Sequence, residues 1–183
     1  MSDPARLPRM TADEFIAWAM ERPDGERYEL VAGEVVAMAP ERVAHARSKF
    51  RIARRLANAV EEAGLPCEVF ADGLSVQVDE TTIYEPDAML RCGDPLPGSA
   101  TRVTHPLIVV EVRSRSTAAL DAGEKLAGYI RIPTLRHYLI VAIESRAVIH
   151  HARAEDGSIA TRVVRDFPLR LDPPGIEPAD PFA

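Results

Sequence analysis

The first forty residues show a helical pattern of apolar positions followed by two strand patterns. Thr11 and Glu14 have the spacing of a capping box, and apolar residues follow at helical intervals, which predicts a short helix over residues 12–21. Strands are then predicted over residues 27–31 and 34–38, joined by a glycine-containing turn. This segment is therefore predicted to be a helix followed by a β-hairpin.

A long helix is predicted over residues 43–63, and Gly64 ends its pattern. At 100° per residue, one side of this helix is apolar and carries Phe50, Ala53, Leu56, Ala57 and Val60. The opposite side is basic and carries Arg47, Arg51, Arg54 and Arg55. His45 and Lys49, four residues apart, fall on the apolar side. The basic side is typical either of a surface that follows phosphates or of a solvated helix face, and the sequence leaves both interpretations open.

Strand patterns dominate the rest of the chain, with one further helix predicted over residues 119–132. A continuous apolar run over residues 107–112, with Glu111 inside it, predicts a central strand that is covered on both faces. The other predicted strands cover residues 67–71, 74–78, 83–90, 137–143, 147–152 and 159–164. Strands and helices in this order predict the α/β class.

The length of 183 residues fits a single domain, residues 1–183, with a core over about residues 11–165. The proline-rich tail over residues 173–183 is expected to be loose. Cys67 and Cys92 lack the spacing of a zinc site and are expected to be free thiols in a reducing compartment. No secretory signal and no membrane-spanning run is visible, so a cytoplasmic location is expected.

The net charge of −6 argues by itself against a nucleic-acid partner, because phosphate binding depends on lysine and arginine. The choice of basic residues is more informative. Lys49 and Lys125 are the only lysines among 22 basic residues, so this chain uses arginine where it needs only positive charge. A lysine in this chain is therefore a candidate for chemistry that a guanidinium cannot perform, such as proton transfer near neutrality.

Two carboxylates are the strongest candidates for a functional site. Glu111 is costly to bury in an apolar strand unless it meets a cation, and a structural ion pair with an arginine is the simplest alternative. Asp87 follows Pro86 in the preceding strand, and pairing of that strand with residues 107–112 would bring both carboxylates to one edge of the sheet. Their repulsion favours a hard divalent cation, and Mg²⁺ suits such a site because it keeps waters for substrate phosphates.

Lys125 is the third candidate, on the helix that follows the Glu111 strand. Asp121, Lys125 and Tyr129 are four residues apart and share a helix face. A compact ammonium group there could position or activate a water molecule. A solvated lysine that pairs with Asp121 is the alternative.

These motifs occur together in a recognisable order: YELVAGE at residues 28–34, a histidine opening a long helix, PD at 86–87, VEVRSRST at 110–117 and DAGEKLAGY at 121–129. Over about residues 11–150 the chain resembles the Uma-type restriction endonucleases of the PD-(D/E)XK nuclease superfamily. The resemblance implies a mixed central sheet flanked by helices, a restriction-endonuclease-like core, with the N-terminal helix and β-hairpin added to it.

The resemblance also implies roles for individual residues. Asp87, Glu111 and the backbone carbonyl of Val112 are expected to hold the metal, and Lys125 is expected to be the catalytic lysine, displaced to the following helix. Glu29 and His45 match further polar positions near the site. Three positions depart from the family pattern: Arg113 replaces an aliphatic residue, Arg115 replaces a proline, and Lys49 stands where a hydrophobic residue is expected.

The leading hypothesis is an endonuclease that hydrolyses phosphodiester bonds in DNA with Mg²⁺, for which Mn²⁺ could substitute. Arg113 is an auxiliary candidate, because strand alternation puts it on the same face as Glu111. Two alternatives stay open: an inactive nuclease-fold module that binds nucleic acid or protein, and a structural core in which the carboxylates only form ion pairs. The limited surface of so small a domain for gripping a duplex also favours a homodimer, and no membrane partner is expected.

Overall fold

The structure is a computed structural model that describes residues 9–113 and 121–183. Its helices in this part of the chain are α1 (Ala12–Met20), α2 (Val43–Glu62) and α3 (Asp121–Tyr129). Its strands are β1 (Tyr28–Val31), β2 (Glu34–Ala37), β3 (Cys67–Ala71), β4 (Ser75–Asp79), β5 (Thr82–Tyr84), β6 (Ala88–Cys92), β7 (Arg102–Val103), β8 (Ile108–Arg113), β9 (His137–Ala142), β10 (Ala147–Arg153) and β11 (Ile159–Val164). The mixed α/β class is confirmed.

The strands form two mixed sheets. The smaller sheet has the order β2-β1-β5-β4-β7, and the larger sheet has the order β11-β10-β9-β8-β6-β3. In the larger sheet β8 lies between antiparallel β6 and parallel β9, and Ile108, Val109 and Val110 are completely buried. This central place explains the continuous apolar run, because both faces of β8 are covered.

Each face of the larger sheet packs against a different layer. Side chains of α2 pack with Val110 and Val112 on one face, together with residues of the C-terminal segment. On the other face Val109 packs with Tyr84 of the smaller sheet and with Tyr129 of α3. Glu111 alternates with Val110 and Val112 along β8, so it faces the smaller sheet and α3.

The predicted single strand over residues 83–90 is wrong. The chain leaves the smaller sheet after Tyr84 and enters the larger sheet at Ala88. Pro86 lies between the two strands, where its missing N–H costs no ladder hydrogen bond. Asp87 therefore stands just before β6, at the crossing between the sheets, rather than at the end of a strand.

The buried side of α2 differs in one respect from the predicted apolar side. Phe50 is 65% exposed, whereas Lys49 is 3% exposed and lies among the buried residues of this helix. Ala57 is exposed as well. Lys49 takes the inward position because its ammonium group meets carboxylates there, as described below. The inward placement of His45 and Lys49 expected from the sequence agrees with the burial of these side chains.

Two further features differ from the expectations drawn from the sequence. The tail expected to be loose packs against the core, where Ile176 is 1% exposed. Cys67 and Cys92 form a disulfide, because the register of β3 and β6 sets them directly opposite each other, so the free-thiol prediction is wrong. Residues 119 and 120 of the predicted third helix lie outside the described residues. Within the described ranges, no helix is long and apolar enough to cross a bilayer.

A buried chain of hydrogen bonds joins two histidines of β9 and β10. Arg162 donates through Nε to Nδ1 of His150 at 3.2 Å, and Nε2 of His150 lies 2.9 Å from Nδ1 of His137. Nε2 of His137 lies 2.9 Å from the carbonyl oxygen of Pro173. When both rings are neutral, donation from Arg162 to His150, from His150 to His137 and from His137 to Pro173 satisfies every ring nitrogen. An additional proton on either ring would break this chain of hydrogen bonds.

We expect this histidine pair to make the protein acid-sensitive. Burial, with His137 and Arg162 beside it, lowers the pKa of His150 to about 3, and burial also lowers the pKa of His137. The unfolded chain takes up these protons first, so stability is complete above about pH 6.5 and is lost as the pH falls toward 3. Between pH 7 and 5, His150 alone should cost about 2 kcal/mol of unfolding free energy.

Urea unfolding at pH 5 and pH 7 measures this effect. His150→Gln should change the stability difference between the two pH values by about 2 kcal/mol relative to wild type, because a glutamine can accept from Arg162 and donate to His137 without titrating. His105→Gln is the matched control at an exposed histidine and should keep the wild-type difference. An unchanged pH dependence in His150→Gln would contradict the assignment.

Candidate active site

The pairing of β6 with β8 brings Asp87 beside Glu111. The backbone N–H of Asp87 donates to the carbonyl oxygen of Val110 at 3.1 Å, and the backbone N–H of Val112 donates to Oδ2 of Asp87 at 2.6 Å. Asp87 thus holds the backbone on both sides of Glu111. The two side chains are 5% and 7% exposed. The expectation from the sequence required this strand to pair with β8, and β6 does so in antiparallel orientation.

Glu111 lies in a buried pocket of polar groups from α3. Its Oε1 accepts from Nζ of Lys125 at 3.1 Å and from the hydroxyl of Tyr129 at 3.0 Å. Burial raises the pKa of Glu111 to about 7, the ammonium of Lys125 opposes the shift, and the carboxylates of Asp87 and Glu29 add to it. The electrostatic effect of Asp87 on Glu111 is the repulsion that the sequence led us to expect.

Lys125 bridges the larger sheet to the β-hairpin of the smaller one. Its Nζ donates to Oε1 of Glu29 at 2.8 Å as well as to Glu111. The same oxygen of Glu29 accepts from the backbone N–H of Glu85 at 2.8 Å, which fixes the carboxylate. The alternative pairing of Lys125 with Asp121 concerns a side chain outside the described part of the chain. Lys125 is a buried member of the site and not a solvated lysine.

Gly128 allows α3 to lie this close to the smaller sheet. A Cβ atom at this position would lie 2.6 Å from Cε2 of Tyr84, closer than packed atoms come. Lys125, one turn earlier, lies with Nζ 5.5 Å from the centre of the same ring. The glycine therefore sets the distance at which the lysine meets its carboxylates.

Lys49 is the second buried ammonium group of the site. Its Nζ lies 3.1 Å from Oδ1 of Asp87, 3.0 Å from Oδ1 of Asp72, and also contacts Oε1 of Glu41. Burial opposes the charge of Lys49, yet the carboxylates of Glu41, Asp87 and Asp72 raise its pKa above the usual value. Lys49 is therefore a charged partner of Asp87.

His45 contacts the backbone carbonyl expected to be a metal ligand. Its Nε2 lies 2.8 Å from the oxygen of Val112 and 3.7 Å from Oδ2 of Asp87, and its Nδ1 lies 3.1 Å from Oε1 of Glu41. All three neighbours are oxygen acceptors, so a neutral ring can donate to only one side. Oxygen or nitrogen atoms of Glu41, His45 and Asp87 lie within 4.8 Å of one another, a spacing that suits one metal ion.

Arg27 completes the network around these carboxylates. It donates to Oε1 of Glu85 at 2.9 Å and to Oδ2 of Asp72 at 3.3 Å. Among the described residues, the three permanent cations Arg27, Lys49 and Lys125 thus pair with six carboxylates. These carboxylates are Glu29, Glu41, Asp72, Glu85, Asp87 and Glu111. The excess of negative charge and the oxygen-rich donor set both fit a hard divalent cation.

The site contains residues that the sequence did not bring forward, among them Glu41 and Asp72. Glu41 lies four residues before His45 and eight before Lys49, a spacing that could have shown that the three lie on one side. Asp72 lies in a turn and had no such signal. Arg113 lies at the end of β8, where, after burial, it is the group that lowers the pKa of His151. Arg115 lies outside the described residues.

The chain matches a family model described as "Uma2: Putative restriction endonuclease" over residues 12–179. It is 31% identical over 158 residues to the uncharacterized protein slr1290 of Synechocystis sp. (strain PCC 6803), covering 85% of this chain and 80% of that protein. A second Synechocystis relative, the uncharacterized protein sll1609, is 29% identical over 150 residues, which cover 80% of this chain and 82% of the relative.

A solved structure supports the fold independently of sequence. It is described as a putative nuclease belonging to DUF820 from Anabaena variabilis ATCC 29413. The superposition has a TM-score of 0.69 and covers 88% of each chain, at 12% sequence identity. At this identity the likeness establishes a nuclease-like fold.

Proposed function

Because this chain belongs to the Uma2 family, we propose that it is a cytoplasmic, Mg²⁺-dependent endonuclease that hydrolyses phosphodiester bonds in DNA. The observation that carries the proposal is the buried junction where Asp87, Glu111 and Lys125 meet. A cluster of buried carboxylates with too few cations is costly for a structural core alone, but it suits a protein that binds a divalent ion.

The side chains of the site have separate roles in this proposal. Asp87, Glu111 and the carbonyl of Val112 would hold the ion, with Glu41 and His45 beside them. Bound there, Mg²⁺ would polarise a phosphoryl oxygen and offset the charge that develops during hydrolysis. Lys125 is the candidate catalytic residue that orients water or stabilises the phosphate, and Glu29 positions its ammonium group at 2.8 Å. Tyr129 positions Glu111 through its hydroxyl group.

We expect Mg²⁺ to stabilise the protein. At ten times the dissociation constant, mass action should raise the melting temperature by about 3–5 °C. The increase in melting temperature should be larger at pH 8 than at pH 6. Glu111, with its pKa of about 7, must lose its proton before its carboxylate can bind the ion. Differential scanning fluorimetry with Mg²⁺ and with EDTA at both pH values measures it.

Two carboxylate variants make this measurement specific. Asp87→Asn should abolish the Mg²⁺-dependent shift. Asp79→Asn, at a carboxylate paired with Arg131 outside the site, should retain it. A wild-type melting temperature that does not change in millimolar Mg²⁺ or Mn²⁺ would favour the alternative of a structural ion-pair core.

The proposed activity is tested by nicking of supercoiled plasmid with Mg²⁺, Mn²⁺ or EDTA. Wild-type protein should cleave with either metal, and neither EDTA samples nor Asp87→Asn should cleave. Metal binding without cleavage would assign the chain to the alternative of an inactive nuclease-fold module. Sedimentation velocity of the same samples tests the predicted homodimer.

A further inference from the structure

The outer side of α2 carries an aromatic residue among arginines. We call Arg47, Phe50, Arg51 and Arg54 the basic–aromatic face. Phe50 is 65% exposed, Arg47 and Arg54 are exposed, and Arg51 is half-buried. These residues recur at intervals of three and four, so they follow one side of the helix over about 10 Å. The opposite side of the same helix carries His45 and Lys49, which belong to the candidate active site.

In the part of the chain that the structure describes, the arginines of this face have no carboxylate partner. Within residues 9–113 and 121–183, no carboxylate lies at ion-pair distance from Arg47, Arg51 or Arg54. Several arginines elsewhere do pair with carboxylates, among them Arg91 with Glu68, Arg102 with Asp13, Arg131 with Asp79 and Arg146 with Asp180. In the described part of a chain with a net charge of −6, α2 thus carries a local cluster of positive charge without a carboxylate partner.

Phe50 gives this cluster a chemical character beyond charge. An exposed phenylalanine loses the stabilisation that burial would give it, and α2 buries Lys49 instead. The guanidinium of Arg54 lies 5.8 Å from the centre of the Phe50 ring, which leaves most of the ring open to solvent. An open aromatic ring between guanidinium groups is the combination that binds unpaired nucleobases and the phosphates between them.

We infer that the basic–aromatic face binds a single-stranded segment of nucleic acid, with the arginines on the phosphates and Phe50 against a base. The inference rests on the proposed function, since it names the surface that holds the substrate strand. The other side of α2 contacts Asp87 through His45 and Lys49, so a strand bound on this face lies about one helix diameter from that carboxylate. The face therefore serves the part of the strand that flanks the cleaved phosphodiester bond.

Fluorescence anisotropy with a labelled single strand of about 20 nucleotides tests the inference, in EDTA so that no cleavage occurs. The variant Arg47→Gln/Arg51→Gln/Arg54→Gln should weaken binding about tenfold or more. It should also reduce the slope of log Kd against log salt by about 2, because three phosphate contacts are lost. Phe50→Ala should weaken binding about fivefold or more with the salt slope unchanged.

A matched variant removes the same charge elsewhere. Arg131→Gln/Arg146→Gln/Arg170→Gln neutralises three exposed arginines outside α2 and should bind within about twofold of wild type. Equal losses in both triple variants would overturn the inference, because overall charge would then explain binding. Phe50→Ala with wild-type affinity would overturn it as well. Self-association in sedimentation velocity that Phe50→Ala abolishes would instead assign the face to a second copy of the chain.

Plasmid cleavage by the same variants separates this inference from the proposed function. If strand binding depends on the basic–aromatic face but wild type does not cleave in Mg²⁺, the inference holds and the proposed endonuclease activity is wrong. If wild type cleaves but strand binding does not depend on this face, the proposed activity holds and the inference is wrong. Thermal melting of each variant confirms that a loss of binding is not a loss of folding.

Discussion

Lys125→Met is expected to reduce the rate of plasmid cleavage at least about 100-fold while Mg²⁺ continues to raise the melting temperature. The ammonium of Lys125 contacts Glu111 and Glu29 but is not itself a metal ligand. Its removal therefore takes away the proposed catalytic ammonium group and leaves the oxygen donors in place. Single-turnover cleavage rates and melting temperatures with and without Mg²⁺ measure the two effects separately.

Two other basic residues compete for this role, and each provides a comparison. Arg113→Gln should cost much less activity, because the electrostatic influence of Arg113 falls on His151. Lys49→Met should also retain more activity than Lys125→Met, when measured at a Mg²⁺ concentration that keeps the variant folded. Near wild-type cleavage by Lys125→Met, with a large loss in either of the others, would move the catalytic role to that residue.

Lys49→Met is expected to lower the free energy of unfolding by about 3–5 kcal/mol in EDTA. The ammonium group is buried and contacts Asp72, Asp87 and Glu41, so its removal leaves these carboxylates close together without their main cation. Millimolar Mg²⁺ should recover part of the loss, because the ion replaces the missing positive charge beside Asp87. Urea unfolding with EDTA and with Mg²⁺ measures both quantities.

Arg131→Met is the matched control for this effect. Its pair with Asp79 is exposed, so its loss should change stability by less than about 1 kcal/mol, with or without Mg²⁺. A Lys49→Met protein as stable as this control would contradict the proposed role of Lys49 as the internal cation of the site.

Local sequence patterns predicted the elements of the fold better than their assembly. A continuous apolar run located β8, and helical spacing located α2 to within one residue at its end. The sequence pattern could not reveal that residues 83–90 belong to two sheets, because both halves have the composition of a strand. Only tertiary packing decides that the chain crosses between sheets at Pro86.

Site residues were predictable where the residue type is unusual for its place in the sequence. Glu111 interrupts an apolar strand, and Lys125 is rare in a chain rich in arginine, so both stood out. Asp72 did not, because an aspartate in a turn is ordinary and its partners lie far away in sequence. The exposure of Phe50 was equally hidden, since hydrophobicity alone assigns the phenylalanine to the interior.

Because the chain crosses from one sheet to the other at Pro86, the candidate site lies where the two sheets meet. Glu29 comes from the smaller sheet and Glu111 from the larger one, and Lys125 of α3 ties them together. Carboxylate repulsion pushes the sheets apart, while their shared apolar contacts hold them together. An ion bound here would therefore also act as a folding ligand, and assembly of the sheets and occupation of the site would form one equilibrium. A substitution at buried Met89, which packs between the sheets, would therefore alter ion binding at the site although Met89 contacts none of its carboxylates.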